Sequence, residues 1–179
     1  MSQTDDFVLD IGEIREKARK NVADGAQTSS YKGDVGTIIR LLNEALATEL
    51  VCVLRYKLHH YAAKGVQSEA IAEEFAVHAE EELGHADKLA QRIVQLGGLP
   101  DFSPKGLAER AHSDYVVVST LQEMIRENLV AERIAIDVYR EMVRFIGDKD
   151  PTTRRVLEDI LAVEEEHADE LSDWLVKTQ

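Results

Sequence analysis

The sequence predicts an all-α protein: a four-helix bundle with one long crossover, preceded by a short N-terminal helix. Three observations predict it. Four stretches of about 30 residues repeat apolar side chains roughly every 3.5 positions, the period of one helix face. The 10 Gly and 3 Pro fall mostly between those stretches. The connections within the first and last pairs of stretches are short, and the one between the pairs is long.

The elements follow in order. Asp10 caps a helix running to about Val22, with Glu13 three residues on completing a capping-box-like pair. The polar segment Asp24–Ser30 has no apolar period and reads as a linker. Residues 1–33 thus form an extension, and 34–179 form the bundle. The first long helix runs from Asp34 to about Lys64 and stops at Gly65. The second runs from Ser68 to Leu96 and stops at Gly97-Gly98. The third runs from about Ser113 to Ile146 and stops at Gly147. The fourth starts at Asp150-Pro151, a cap followed by a first-turn proline, and runs nearly to the end. Short joints make antiparallel hairpins of helices one and two, and of three and four. The middle connection, Gly97–His112, reaches about 50 Å when extended. It can travel the length of a ~45 Å helix and leave helices two and three parallel.

Charge and composition exclude several classes. Asp and Glu number 34 against 21 Lys and Arg, for a net charge of −13. That opposes a nucleic-acid-binding surface, which wants Lys and Arg. A single cysteine, Cys52, rules out an intrachain disulfide framework and any CxxC metal knuckle. No apolar run is long enough for a membrane span. The polar, acidic Met1–Asp6 carries no signal-peptide pattern, so a cytoplasmic location is expected.

The apolar stripes contain an anomaly. Helix one reads Leu42, Ala45, Glu49, Cys52, Tyr56. Helix two reads Phe75, His78, Glu82, His85, Leu89. Helix three reads Val118, Leu121, Ile125, Asn128, Glu132, Ala135, Tyr139, Met142, Ile146. Helix four reads Leu157, Ile160, Glu164, His167, Leu171, Trp174. Each helix places one Glu where an apolar residue belongs, and two add a His three residues later. Four buried carboxylates are very costly without compensation. Two divalent cations would neutralise them, and Glu and His at i and i+3 can share a metal. One Glu from each of two helices, with Glu-x-x-His from the other two, is the di-iron carboxylate pattern.

An internal repeat supports this reading. Glu49 precedes Glu82 by 33 residues, and Glu132 precedes Glu164 by 32. Glu49 and Tyr56 are spaced as Glu132 and Tyr139 are. The stretch Glu82-Leu-Gly-His85-Ala-Asp-Lys-Leu parallels Glu164-Glu-Glu-His167-Ala-Asp-Glu-Leu. Two similar hairpins about a pseudo-twofold would bring these groups together at the bundle centre.

On these motifs the chain resembles the ferritin-like superfamily over about Asp34–Trp174, nearest to bacterioferritin and its Dps-like relatives. The residues from Glu49 to Tyr56 resemble the first-helix motif. His85-Ala-Asp, Arg92-Ile and Gly98-Leu-Pro100 resemble the second helix and its exit. The resemblance implies that Glu82 and Glu164 bridge two irons. Glu49 and His85 complete one site, and Glu132 and His167 the other. It implies a ferroxidase for iron storage and detoxification, using O2 or H2O2 and protecting against oxidative stress. Two departures stand out. The haem-ligand methionine of bacterioferritin is replaced by Leu83, so haem is not expected. The twelve residues after His167 leave little room for a fifth helix, which favours a 12-mer cage over a 24-mer.

Other residues carry competing readings. Tyr56 is either an electron or hydrogen-bond donor at the metals or a core aromatic. Cys52 is favoured as an inert buried thiol, since its repeat counterpart is Ala135. His78 is favoured as a satisfied core histidine over a ligand for transient iron. Glu81, Glu165 and Glu166 are expected beside the ligands or on the surface. His59-His60 reads as a polar helix end, and Trp174 as core or interface packing. Arg15–Lys20 is an amphipathic helix docked on the bundle or a neighbouring subunit, in preference to a DNA-contacting tail. Manganese is a possible metal, so a di-metal peroxidase or manganese-catalase-like enzyme is one alternative. A Dps-like DNA-protecting protein is the other. If a cage forms, the acidic excess beyond the four ligands would partly face inward and attract cations.

Overall fold

A computed structural model describes residues 8–65 and 68–177. The reading of Met1–Asp6 lies outside the described residues. The chain orders as α1 (Ile11–Lys20), α2 (Val35–Ala62), α3 (Ser68–Gln95), α4 (Leu107–Arg110), α5 (Leu121–Ile146) and α6 (Pro151–Lys177). Helices α2 and α3 pack along their length, as do α5 and α6, and the two hairpins meet through α2 against α5 and α3 against α6.

The caps follow the side-chain chemistry. Asp34 accepts from the Thr37 amide at the start of α2, and Asp10 from the Glu13 amide at α1. Asp150 accepts from the Thr153 amide at α6. It also takes two hydrogen bonds from the Arg92 guanidinium, at 2.9 and 3.0 Å, and one from the Tyr31 hydroxyl at 2.6 Å. One carboxylate thus ties α3, α6 and the segment before α2 at one end of the bundle. After α3 the chain turns through Gly97 at φ +79°, a left-handed conformation that glycine adopts freely. Next to it, a Cβ on Gly98 would lie 2.9 Å from Ile39.

Three expectations need correction. The third long helix starts at Leu121, not near Ser113. Thr120 and Glu123 form a full capping box there. Residues 113–120 are non-helical, and Val118 reaches the core from that segment. The crossover therefore spans 96–120 and contains the short α4. It is laid along α2: Asn43 donates to Leu99 O, Thr48 bonds the His112 amide, and Arg55 donates to Asp114 O. His59 is not a polar helix end: it is completely buried, its ring beside Phe75 of α3 and 3.2 Å from Asn128 of α5. The Asp24–Ser30 segment is irregular as expected, yet Gln27 donates to Leu96 O and tethers it to the end of α3. Finally, α1 buries none of its residues, so of its two expected docking places the chain's own bundle is overturned. Its Lys17 and Lys20 pair instead with Glu13 and Glu16 one turn back.

The interior has two apolar clusters. One joins Ile38, Leu42, Leu46, Leu89, Ile93 and Ile160 with their neighbours. The other joins Cys52, Tyr56, Phe75, Met124, Ile125 and Leu171. Between them lies a polar layer at the middle of the bundle.

Candidate metal centre

That layer is made of Glu49 (α2), Glu82 and His85 (α3), Glu132 (α5), and Glu164 and His167 (α6). All six side chains are buried. The helical period explains why: each residue continues the apolar stripe of its own helix. Ligand atoms of Glu49, Glu82, His85 and Glu164 lie within 4.8 Å of one another, as do those of Glu82, Glu132, Glu164 and His167.

Glu82 and Glu164 belong to both groups through separate oxygens. His85 Nδ1 lies 3.2 Å from Glu82 Oε2 and 3.0 Å from Glu164 Oε1. His167 Nδ1 lies 3.7 Å from Glu82 Oε1 and 3.8 Å from Glu164 Oε2. Of the two layer histidines, Glu49 approaches His85, at 3.6 Å, and Glu132 approaches His167, at 3.9 Å. Two carboxylates thus face both histidines of the layer, and two face one each.

The tyrosines cross between hairpins. Tyr139 of α5 donates to Glu49 of α2, and Tyr56 of α2 donates to Glu132 of α5. Each hydroxyl therefore orients the terminal carboxylate of the other hairpin. His167 Nε2 donates to Glu81 Oε2 at 2.8 Å, so in a neutral ring the Nδ1 lone pair would face the centre. A carboxylate behind a histidine ligand is a common outer partner of metal sites.

The hydrogen-bond accounting tests whether a metal fits. Glu82 Oε1, Glu132 Oε2, both Glu164 oxygens and His167 Nδ1 are buried without any hydrogen-bond partner. Orphaned buried polar atoms are rare in folded proteins and each calls for an explanation. Here all of them are lone-pair donors converging on one small volume. Cations would supply the missing partner, and oxygen with imidazole nitrogen is a donor set for iron or manganese.

Electrostatics agrees. Burial and the neighbouring Glu82 push Glu49 well above the usual carboxylate range. Burial and the surrounding glutamates do the same to Glu164, and burial raises Glu132. Glu82 is itself buried, but the adjoining Glu49, His167 and His85 outweigh that and hold it low. Burial opposes the charged imidazoles, yet the adjoining carboxylates raise His85 and His167 to about 9. Without metal, protons hold the layer together, and divalent cations would displace them.

The remaining candidates divide. Cys52 is buried and burial pushes its thiol up, as for an inert core cysteine. Glu81 sits beside His167, whereas Glu165 pairs with Arg140 at the surface and Glu166 is exposed. Trp174 is partly buried against the second cluster. Four buried groups near the site are not marked as functional by the sequence: Tyr139, Arg55, His59 and Asn128. Tyr139 was visible as the repeat partner of Tyr56. Arg55 donates to Asn128 Oδ1 at 2.9 Å, and His59 Nδ1 lies 3.2 Å from the same oxygen. Asn128 carried a signal, a polar residue in an apolar register. Arg55 carried none, since its repeat counterpart is Val138.

A four-helix bundle with one crossover and this central layer defines the ferritin-like class. The family model described as "Ferritin-like domain" matches residues 39–179, and the chain belongs to that family. It is 32% identical to the bacterioferritin of Mycobacterium leprae over 139 residues, 77% of this chain and 83% of that one. It is also 32% identical to the nutrient stress-induced DNA-binding protein of a Nostoc species, over 76% of each chain. Among solved structures it is similar to the bacterioferritin-related protein of Bacteroides fragilis, described as a dodecameric thioferritin. That match has a TM-score of 0.79 and 36% identity, over 82% of this chain and 89% of that one. No helix of the described residues is long and apolar enough to cross a membrane.

Proposed function

We propose that this chain is the subunit of an iron-storing assembly and that its buried centre oxidises Fe(II). The observation that carries the proposal is the four-Glu, two-His layer whose inward lone pairs lack partners. The bacterioferritin relatives support storage as the purpose.

Fe(II) is the substrate. Glu49 and His85 hold one ion, Glu132 and His167 the other, and Glu82 and Glu164 give one oxygen to each. Each Fe(II) loses one electron. The pair of electrons, with two protons, reduces H2O2 to two waters or O2 to H2O2. The chain contributes ion spacing, charge neutralisation and a dry surround formed by the two apolar clusters. Tyr56 acts through Glu132, as a positioning residue that turns the other carboxylate oxygen inward, and Tyr139 does the same for Glu49.

Oxidation of Fe(II) and iron retained per chain test this directly. Glu82→Ala and His85→Ala should slow oxidation and abolish fast uptake with helix content intact. Unchanged oxidation in both would overturn the proposal. The dodecameric relative supports a twelve-subunit cage. Its native mass would be about 240 kDa, twelve times 20.1 kDa, against about 480 kDa for twenty-four subunits.

The same donors accept manganese. A chain retaining only two metals, and disproportionating peroxide, would be a di-metal peroxidase or catalase. The Nostoc relative's name favours a DNA-binding reading, and the net charge of −13 opposes it. A salt-dependent DNA gel shift decides that point.

A further inference from the structure

The N-terminal extension carries an apolar face that its own bundle does not cover. In α1 the residues Ile11, Ile14 and Ala18 follow one another at three- and four-residue spacing, and Val22 continues the line just past the helix. Ile11 is 45% exposed, Ile14 50% and Val22 83%. Such a stripe on a surface helix ordinarily packs against a neighbouring element. Here the loop 24–30 approaches it, and a cavity of about 210 Å³ stays open between them, lined by Ile14, Ala18, Gly25 and Gln27 among others. Gln27 donates to Leu96 O and Tyr31 to Asp150, so the loop side of this cleft is fixed to the end of the bundle.

The charges beside that face also lack partners. Lys17 and Lys20 pair with Glu13 and Glu16 one turn back. Arg15 and Arg19, one turn apart along the edge of the stripe, form no ion pair among the described residues. The helix carries four cations and two carboxylates, for +2, while the rest of the chain carries −15. A guanidinium takes a carboxylate through two parallel N–H donors, so a surface rich in Asp and Glu is the complement of this edge. Extended, residues 21–27 reach about 20 Å, and α1 adds about 15 Å. A four-helix bundle with axes about 10 Å apart is about 20 Å across. The helix can therefore pass beyond its own bundle.

We propose that α1 and its loop form a clasp for a second copy of this chain. Ile11, Ile14 and Ala18 meet an apolar patch of that copy, one of its apolar side chains fills the cleft, and Arg15 and Arg19 pair with its surface carboxylates. The second copy fits because it carries the opposite charge and exposes large apolar residues such as Tyr61, Leu99 and Val117. A polyanion without apolar groups, such as DNA, would meet the arginines and leave the stripe uncovered. The clasp rests on the assembly part of the proposed function and is independent of the iron chemistry.

The test uses the full-length protein. A benzophenone attached to an Ile14→Cys variant should, on illumination, give a covalent dimer of about 40 kDa on a denaturing gel, twice the 20.1 kDa chain. The same probe on Glu16→Cys, on the opposite side of α1, should give little. Cys52 is buried and does not compete for the label. Arg15→Glu/Arg19→Glu should raise the protein concentration at which the assembly dissociates about tenfold, with Fe(II) oxidation per chain unchanged. All the substituted residues are exposed, so the bundle is retained. Cross-links confined to one chain would overturn the clasp, and so would a charge variant that dissociates at the wild-type concentration. A charge variant that loses only a DNA gel shift would overturn it in favour of nucleic acid. A wild type that stays a monomer would overturn the clasp and the assembly together. One that assembles through α1 yet oxidises no Fe(II) would support the clasp and overturn the iron chemistry alone.

Discussion

Glu164 offers the sharpest test of what the buried layer is for. Both of its oxygens are buried without hydrogen-bond partners, and it sits 0% exposed between the apolar clusters. Leaving a buried polar group unsatisfied costs about 1–3 kcal/mol. Replacing such a group by an apolar one of similar volume removes that cost. Glu164→Leu should therefore stabilise the metal-free protein by about 1–3 kcal/mol. For a chain of this size about 2–4 °C in Tm corresponds to each kcal/mol, so the gain is about 2–12 °C. Metal reverses the order. An ion present at one hundred times its Kd adds about 2.7 kcal/mol to the form that binds it. Glu164 serves both positions, so the wild type should gain about 5 kcal/mol from two ions while the variant gains little. Differential scanning calorimetry in EDTA and then in Mn(II), at fixed protein concentration, reads both effects. The variant should melt above the wild type without metal and below it with metal. A variant several kcal/mol less stable in EDTA would show that Glu164 makes favourable contacts of its own. Equal stabilisation of both proteins by Mn(II) would refute the shared-ligand geometry.

Two further predictions address the surroundings. Tyr56→Phe and Tyr139→Phe each remove the hydroxyl that turns a terminal carboxylate. Each should weaken Co(II) binding at the buried centre about 10–100-fold, with helix content unchanged. Equal affinity would make the tyrosines ordinary core aromatics. At the bundle end, burial raises the Asp150 carboxyl, but hydrogen bonds from Thr153, Tyr31 and Arg92 outweigh it and hold the group below its ordinary value. A carboxyl lowered in the folded state contributes stability that is complete above its unfolded pKa, about 3.9, and is lost as pH falls through the folded value. The stability difference between wild type and Asp150→Asn should thus be constant from about pH 5 to 7 and shrink below about pH 4. A difference independent of pH would remove Asp150 from the acid limb.

The six layer residues were legible because helical register is a property of sequence. Each sits three or four positions from apolar neighbours, and the hairpin repeat shows the set twice. What register cannot supply is the partner. The pairing of Tyr56 with Glu132 rather than with a residue of its own hairpin depends on how α2 meets α5. His59 lies three residues after Tyr56, on the inward face, yet its neighbour His60 made the pair look like a polar end. It is buried beside Phe75 and Asn128, both distant in sequence. Arg55 is buried for the same reason: the carbonyl of Asp114 accepts its charge-bearing guanidinium. The start of α5 was misplaced because Val118 keeps the apolar spacing while standing outside the helix. The Thr120–Glu123 capping box was the better signal, and it competed with a longer apolar run.

The two apolar clusters on either side of the polar layer act together as a ruler for assembly. Sliding any one helix by a turn moves its glutamate about 5.4 Å along the axis. The carboxylate then leaves the opposing imidazoles and enters a volume lined by Leu, Ile or Phe. A buried charge without a partner costs several kcal/mol, whereas a slipped leucine costs far less. A bundle of uniformly apolar stripes would tolerate several staggered packings of nearly equal energy. This one has a single alignment in which each of the four glutamates meets a histidine of the layer. The residues that would carry the chemistry also select which of the possible bundles the chain becomes.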